Sequence, residues 1–231
     1  MRVDGWKELV KKEIVSGFAL SQLPLGENEE GRVVFSHRKN RPDRYCHTCV
    51  TGALRTTFLV NTVASLAALY GEKASFLVLS QKKEYLKLLT IKGADITVPY
   101  LQSERQFASM KQLALAQANT QKKNLGYHRF FLIVDGWESL PFASFDNTLS
   151  SFRQFISDVS GGAEVLSGVD FSGTIFAGFE GAFVGVHNSL VSVDEKGKAD
   201  VTYVGEDCVL DYPQSIRYAE FFDGGDYGQR K

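Results

Sequence analysis

Phe130-Phe131-Leu132-Ile133-Val134-Asp135-Gly136 is an apolar run closed by one acidic residue and one glycine. A strand that is apolar on every position has both faces buried, which is the pattern of a central strand in a parallel sheet covered by helices on both sides. The residues around it repeat a strand-then-helix order. Upstream, Tyr45 to Thr51 reads as a strand and Thr56 to Tyr70 as a helix ended by Gly71. Ala74 to Leu79 is a second strand, Lys82 to Leu89 a second helix, and Ile96 to Val98 a short extended piece. Ser103 to Lys123 is a long helix whose Ser-Glu-Arg-Gln start suits an N-cap. These βα units predict a three-layer α/β fold with a mainly parallel sheet and helices on both faces.

The flanks are less regular. Trp6, Leu9, Val10, Ile14 and Phe18 recur at helical spacing, and Arg32 to Ser36 alternates as a short strand. His37 to Arg44 is a basic loop. Its cations could meet a polyanion, but a solvated loop is the better reading. Downstream, Phe142 to Val159 reads as helix, Gly173 to Phe179 as strand, Leu190 to Val193 with Asp200 to Val204 as a hairpin, and Ser215 to Phe222 as a short helix. Phe142, Phe145, Phe152 and Phe155 fall near helical spacing, as a core stripe does.

Composition narrows the function. The chain has 231 residues, 44% hydrophobic and 23% charged, with a formal net charge of -1. That is globular composition with no global positive field, so nucleic acid is not an expected partner. Three cysteines in a chain of this size argue for a reducing compartment rather than a disulfide framework. Charged residues interrupt the N-terminal apolar positions, against a signal peptide, and no apolar run reaches the ~18 residues of a membrane helix. Cys46-His47-Thr48-Cys49, with His187 and Cys208, has the residue types of a zinc or dithiol site. Residues three apart on a strand point to opposite faces, so no metal site is expected.

The turn between the first strand and its helix is Cys49-Val50-Thr51-Gly52-Ala53-Leu54-Arg55-Thr56. Such turns hold phosphate when glycines let the backbone close on the anion and a lysine meets it. Laid on G-x-x-x-x-G-K-[ST], both glycines are replaced, by Cys49 and Leu54. Arg55 stands for the lysine and Thr56 for the hydroxyl, and only Gly52 lends flexibility. The Phe130 strand ends in Asp135, where a P-loop enzyme holds Mg²⁺ through water. Gly136 follows, where many such ATPases carry the glutamate that activates water, and Glu138 lies two positions on. Gly173 to Gly178 lacks the polar residue that would sense the γ-phosphate. Gly52, Arg55 and Thr56 are thus candidates for a degenerate nucleotide site, with Asp135 and Glu138 as its acidic residues and no residue in a catalytic role.

The order of these features resembles the FtsK/SpoIIIE family of P-loop translocases over roughly Leu23 to Leu140. Leu25-Gly26-Glu27-Asn28-Glu29-Glu30-Gly31-Arg32-Val33-Val34 is similar to that family's leading hairpin. Ser80-Gln81-Lys82 follows the second strand where the family has Asp-Pro-Lys. Within the family, the degenerate site looks most like the C-terminal ATPase-like domain of the EssC-type coupling proteins of type VII secretion. The resemblance implies a RecA-like fold over residues 1–231, with 1–44 as lead-in, and a place as the terminal domain of a longer, membrane-anchored protein at the cytoplasmic face of a bacterial membrane. It implies secreted proteins and neighbouring ATPase domains of the same motor as partners, membrane contact through the parent protein, and no cofactor beyond weak ATP and Mg²⁺. Three readings follow: a non-hydrolysing recognition or coupling domain that survives Arg55→Ala, an active translocase in which Arg55 and Glu138 substitute, and a regulatory nucleotide-binding domain.

Overall fold

The computed structural model describes residues 3–15, 23–36, 46–99, 101–123, 128–137, 149–170, 189–203 and 213–218. Its strands are β1 (Pro24–Glu27), β2 (Val33–Phe35), β3 (Cys46–Thr51), β4 (Ala74–Leu79), β5 (Asp95–Thr97), β6 (Arg129–Asp135), β7 (Glu164–Gly168), β8 (Ser189–Val193), β9 (Ala199–Tyr203) and β10 (Gln214–Ile216). Its α-helices are α1 (Val3–Val15), α2 (Arg55–Tyr70), α3 (Glu104–Lys123) and α4 (Leu149–Val159). Strands β3 to β10 form one sheet in the order β10-β9-β8-β3-β7-β6-β4-β5, parallel from β8 to β5 and antiparallel at β8, β9 and β10.

The apolar run of β6 divides between the two faces as strand alternation requires. Phe131 and Ile133 join a core with Phe58, Leu59 and Val63 of α2. Phe130, Leu132 and Val134 join the opposite core with Phe107 of α3 and Phe152, Phe155 and Ile156 of α4. The expected three-layer arrangement therefore stands, with α2 on one face and α3 and α4 on the other. Asp135 is next in the alternation after Ile133, so it is delivered to the α2 side.

Near the N-terminus, α1 and the β1–β2 pair are described. Trp6 and Val10 of α1 pack with Val33 and Phe35 of β2. β1 and β2 pair antiparallel, and Glu27 exchanges backbone hydrogen bonds of 2.8 Å with Arg217, tying the hairpin to the strand edge at β10. At the start of α3, Ser103 Oγ accepts the Gln106 N–H at 3.3 Å, the predicted N-cap.

Two expectations need correction, one strand was not anticipated, and three readings fall outside the described residues. Lys83–Thr90 is a 3-10 helix, not an α-helix. Its buried residues Tyr85 and Leu88 are three apart, the spacing that brings side chains onto one face at three residues per turn. The segment read as a helix from Ser215 begins instead as β10, because Gln214 to Ile216 pair antiparallel with β9. β7 was not anticipated, although it lies between β3 and β6. The Gly173 to Phe179 strand, Phe142 and Phe145, and the basic loop lie outside the described residues.

Candidate functional site

β3, β4, β6 and β7 are parallel, so their C-terminal ends meet at one edge of the sheet. This is where open α/β sheets place their sites. The β3–α2 connection begins there. Cys49, Val50 and Thr51 belong to β3, where Cys49 pairs with Ser167 and Leu190, so three residues of the proposed loop motif are strand. Only Gly52, Ala53 and Leu54 connect strand to helix. That turn is closed on itself by the Arg55 N–H donating to the Gly52 carbonyl at 3.3 Å.

Gly52 has φ +97, a conformation that glycine alone adopts without strain. A Cβ built on it would stand 2.1 Å from the Val193 carbonyl oxygen. The turn therefore lies against the end of β8. A phosphate cradle instead needs several consecutive amides arched around an anion. Here the connection is short, and one of its amides is spent internally.

Asp135 has no exposed side-chain surface, and both of its oxygens are engaged. Thr56 donates its hydroxyl to Oδ2 at 2.8 Å and Tyr85 donates its phenol to the same oxygen at 3.0 Å. Lys82 Nζ donates to Oδ1 at 2.9 Å and also to Thr56 Oγ1 at 2.7 Å. Arg55 Nε is 3.4 Å from Oδ1, and Arg55 Nη1 is 3.8 Å from Asp170, just past the end of β7. Burial, and then the Asp135 carboxylate, push the Tyr85 phenol well above its ordinary value, so it remains a donor at any ordinary pH.

Close packing at Gly168 holds this cluster in place. A Cβ there would meet Asp135 Oδ1 at 2.4 Å and Leu59 Cδ1 at 2.8 Å, so the carboxylate rests against the bare Cα of β7. After Asp135 the chain turns away. Gly136 takes φ 83 and donates its N–H to the Gly168 carbonyl at 3.1 Å. Trp137 is then buried among Phe107, Phe152 and Phe155, with ring centroids 5.2, 5.4 and 5.6 Å away. Lys111 Nζ lies 5.3 Å from the Trp137 ring.

Arg55 and Thr56 thus meet Asp135 at one edge of the sheet, with Gly52 in the adjoining turn. Glu138 lies outside the described residues. So does the Gly173 to Gly178 segment, and the strand that separates β3 from β6 is β7, whose end carries Ser167, Gly168 and Asp170. Ser167 Oγ shares a 2.8 Å hydrogen bond with His47 Nε2, and His47 and Cys49 are both buried in β3. Lys82 and Tyr85 were not anticipated. The available signal was a lysine just past the C-terminal end of β4, at the sheet edge that holds the phosphate turn.

No family model and no curated protein matches the chain. Solved structures do. One described only as an ATPase superposes with a TM-score of 0.65 at 17% identity, over 95% of this chain and 94% of its own. ATPases 2 and 3 of EccC from Thermomonospora curvata, in complex with a signal sequence peptide, give a TM-score of 0.53 at 13% identity over 87% of this chain and 40% of theirs. ATPases 2 and 3 of EssC from Geobacillus thermodenitrificans give 0.53 at 14% identity, over 87% of this chain and 42% of theirs. The fold is therefore that of P-loop ATPase domains, and it is similar to those of type VII secretion motors. This chain spans less than half the length of the EccC and EssC chains it matches. Among the described residues, no helix is long and apolar enough to cross a membrane.

Proposed function

We propose that this chain is a degenerate, non-hydrolysing ATPase-like domain of a secretion motor, acting in substrate recognition or in coupling to neighbouring ATPase domains. One observation carries the reading. The β3–α2 connection is the three-residue turn Gly52-Ala53-Leu54, closed by its own Arg55-to-Gly52 hydrogen bond, where a nucleotide needs an open cradle. Gly136 supports it too, because the position after the buried aspartate carries no group able to activate water. The likeness to EccC and EssC ATPase domains supports the setting, and the EccC complex with a signal sequence peptide supports secreted proteins as the class of partner. In this reading the domain works on the cytoplasmic side of the membrane, held there by the protein to which it belongs.

Titration calorimetry with Mg-ATP tests the proposal. Binding no tighter than the millimolar range, with phosphate release at background, is expected. Submicromolar affinity for Mg-ATP would sink the reading.

A further inference from the structure

In a P-loop site of the resembled kind, the helix hydroxyl and the strand-end aspartate are the groups that hold Mg²⁺. Thr56 and Asp135 stand at those positions, and their surroundings do not fit the ion. The Thr56 hydroxyl is used twice, as donor to Asp135 Oδ2 and as acceptor from Lys82 Nζ. Asp135 already faces two cations, Lys82 Nζ at 2.9 Å and Arg55 Nε at 3.4 Å. A metal would have to displace the ammonium from both oxygens and then sit beside two fixed positive charges.

We propose that Lys82 is the resident cation of this site, its ammonium standing between Thr56 and Asp135 in place of a divalent metal. The local backbone supports the arrangement. Lys82 lies in the extended link after β4, just before the 3-10 helix Lys83–Thr90, and three residues on the Tyr85 N–H donates to the Lys82 carbonyl at 3.4 Å. Tyr85, on that same helix, reaches Asp135 beside it. The β4 end, the start of α2 and the β6 end are thereby pinned through one lysine, as a structural metal would pin them. A compact ammonium with three donors suits the position, since two oxygens must be bridged at short range and a planar guanidinium fork matches a single carboxylate better. The site thus keeps its cation whatever the supply of metal or nucleotide, which rests on and sharpens the non-hydrolysing reading.

The test is Mn²⁺ binding, followed by electron paramagnetic resonance of the free ion and by the melting temperature. Wild type should show no saturable Mn²⁺ site in the low millimolar range. Lys82→Ala should gain one, at least tenfold tighter than any wild-type binding, and Asp135→Asn on the Lys82→Ala background should remove the gain. Equal Mn²⁺ affinity in Lys82→Ala and wild type overturns the proposal. Should Lys82→Ala fail to fold, the wild-type protein still decides. Limited acetylation followed by mass spectrometry should modify Lys82 at least tenfold more slowly than its exposed neighbour Lys83, and equal rates overturn the proposal. Failure here is separable from failure of the functional reading, which shows instead as Mg-ATP binding by wild type.

Discussion

Lys82 Nζ and Asp135 Oδ1 are 2.9 Å apart at the end of β6, the carboxylate fully buried and the lysine side chain 28% exposed. A charge of that kind is tolerated only while its partners remain, because removing one side of a buried pair leaves the other uncompensated. Here Asp135→Asn removes the charge that Lys82, Thr56, Tyr85 and Arg55 all face. The expected cost is about 2–4 kcal/mol, the usual 3–5 for a buried pair lowered by the exposure of Lys82. Urea denaturation followed by circular dichroism measures it.

Arg55→Ala should be far milder. Arg55 Nε is the more distant cation, at 3.4 Å, and Thr56, Tyr85 and Lys82 continue to satisfy both oxygens of Asp135 without it. A loss of about 1 kcal/mol is expected, in the range of a single hydrogen bond. If Arg55→Ala destabilised the protein as much as Asp135→Asn, the arginine and not the lysine would be the principal counter-charge.

Gly52→Ala probes the collapsed turn. Alanine at positive φ costs about 1 kcal/mol or more, and the new Cβ would also meet the Val193 carbonyl at 2.1 Å. Gly93 provides the control, with φ +76 and no atom within 4 Å of its would-be Cβ. Gly52→Ala should lower the melting temperature by roughly 4–8 °C, about 2 kcal/mol in a chain of this size, and Gly93→Ala by about half that. Equal shifts would mean that the turn stands clear of β8.

The βα order was legible because it rests on local signals. β6 declares itself by five apolar residues, and α2 by a helical stripe that begins where β3 stops. What could not be read is decided by partners far along the chain. β7 holds only Val165 and Leu166 between polar or glycine residues, and Gly168 is needed there because the Asp135 carboxylate lies on its Cα. Gln214 to Ile216 is a strand only through its pairing with β9. The eight motif positions Cys49 to Thr56 overlap the strand read from Tyr45 to Thr51, and since β3 does run to Thr51 only Gly52, Ala53 and Leu54 remain as the turn. Lys82 was visible as a family-like position, but its role depends on β4 lying next to β6 in the sheet.

Trp137 anchors the side of the sheet opposite α2. It is stacked on Phe155 at 21° and meets Phe107 and Phe152 edge-on, and Lys111 covers the group from α3. Truncation to alanine opens a cavity among three rings, for which about 3–5 kcal/mol is expected. Near-ultraviolet circular dichroism should lose the Trp137 part of its indole signal, leaving that of Trp6, while Mn²⁺ binding stays at the wild-type level, because Asp135 faces the other layer. A gain of Mn²⁺ binding in Trp137→Ala would show that this core, and not Lys82, keeps the cation site closed.

Glu164 supplies a pH dependence at the N-terminal end of β7, far along the strands from Asp135. Arg129 pairs with it through Nε and Nη2, while the guanidinium lies over the Tyr70 ring at 4.5 Å from the centroid. Burial outweighs the attraction of Arg129 and raises the Glu164 carboxyl above its ordinary value. A raised carboxyl means that the folded state holds this proton more tightly than the unfolded state does. Its stabilising contribution is complete below the unfolded carboxylate range and is lost as pH rises through the higher, folded value. Glu164→Gln removes that titration. The unfolding free energy of wild type minus that of Glu164→Gln should therefore fall as pH rises from the acid side of the carboxylate range toward neutrality, measured by urea denaturation at several pH values. A difference that grows with pH would mean that Arg129 wins over burial, and that the pair is held together as ions.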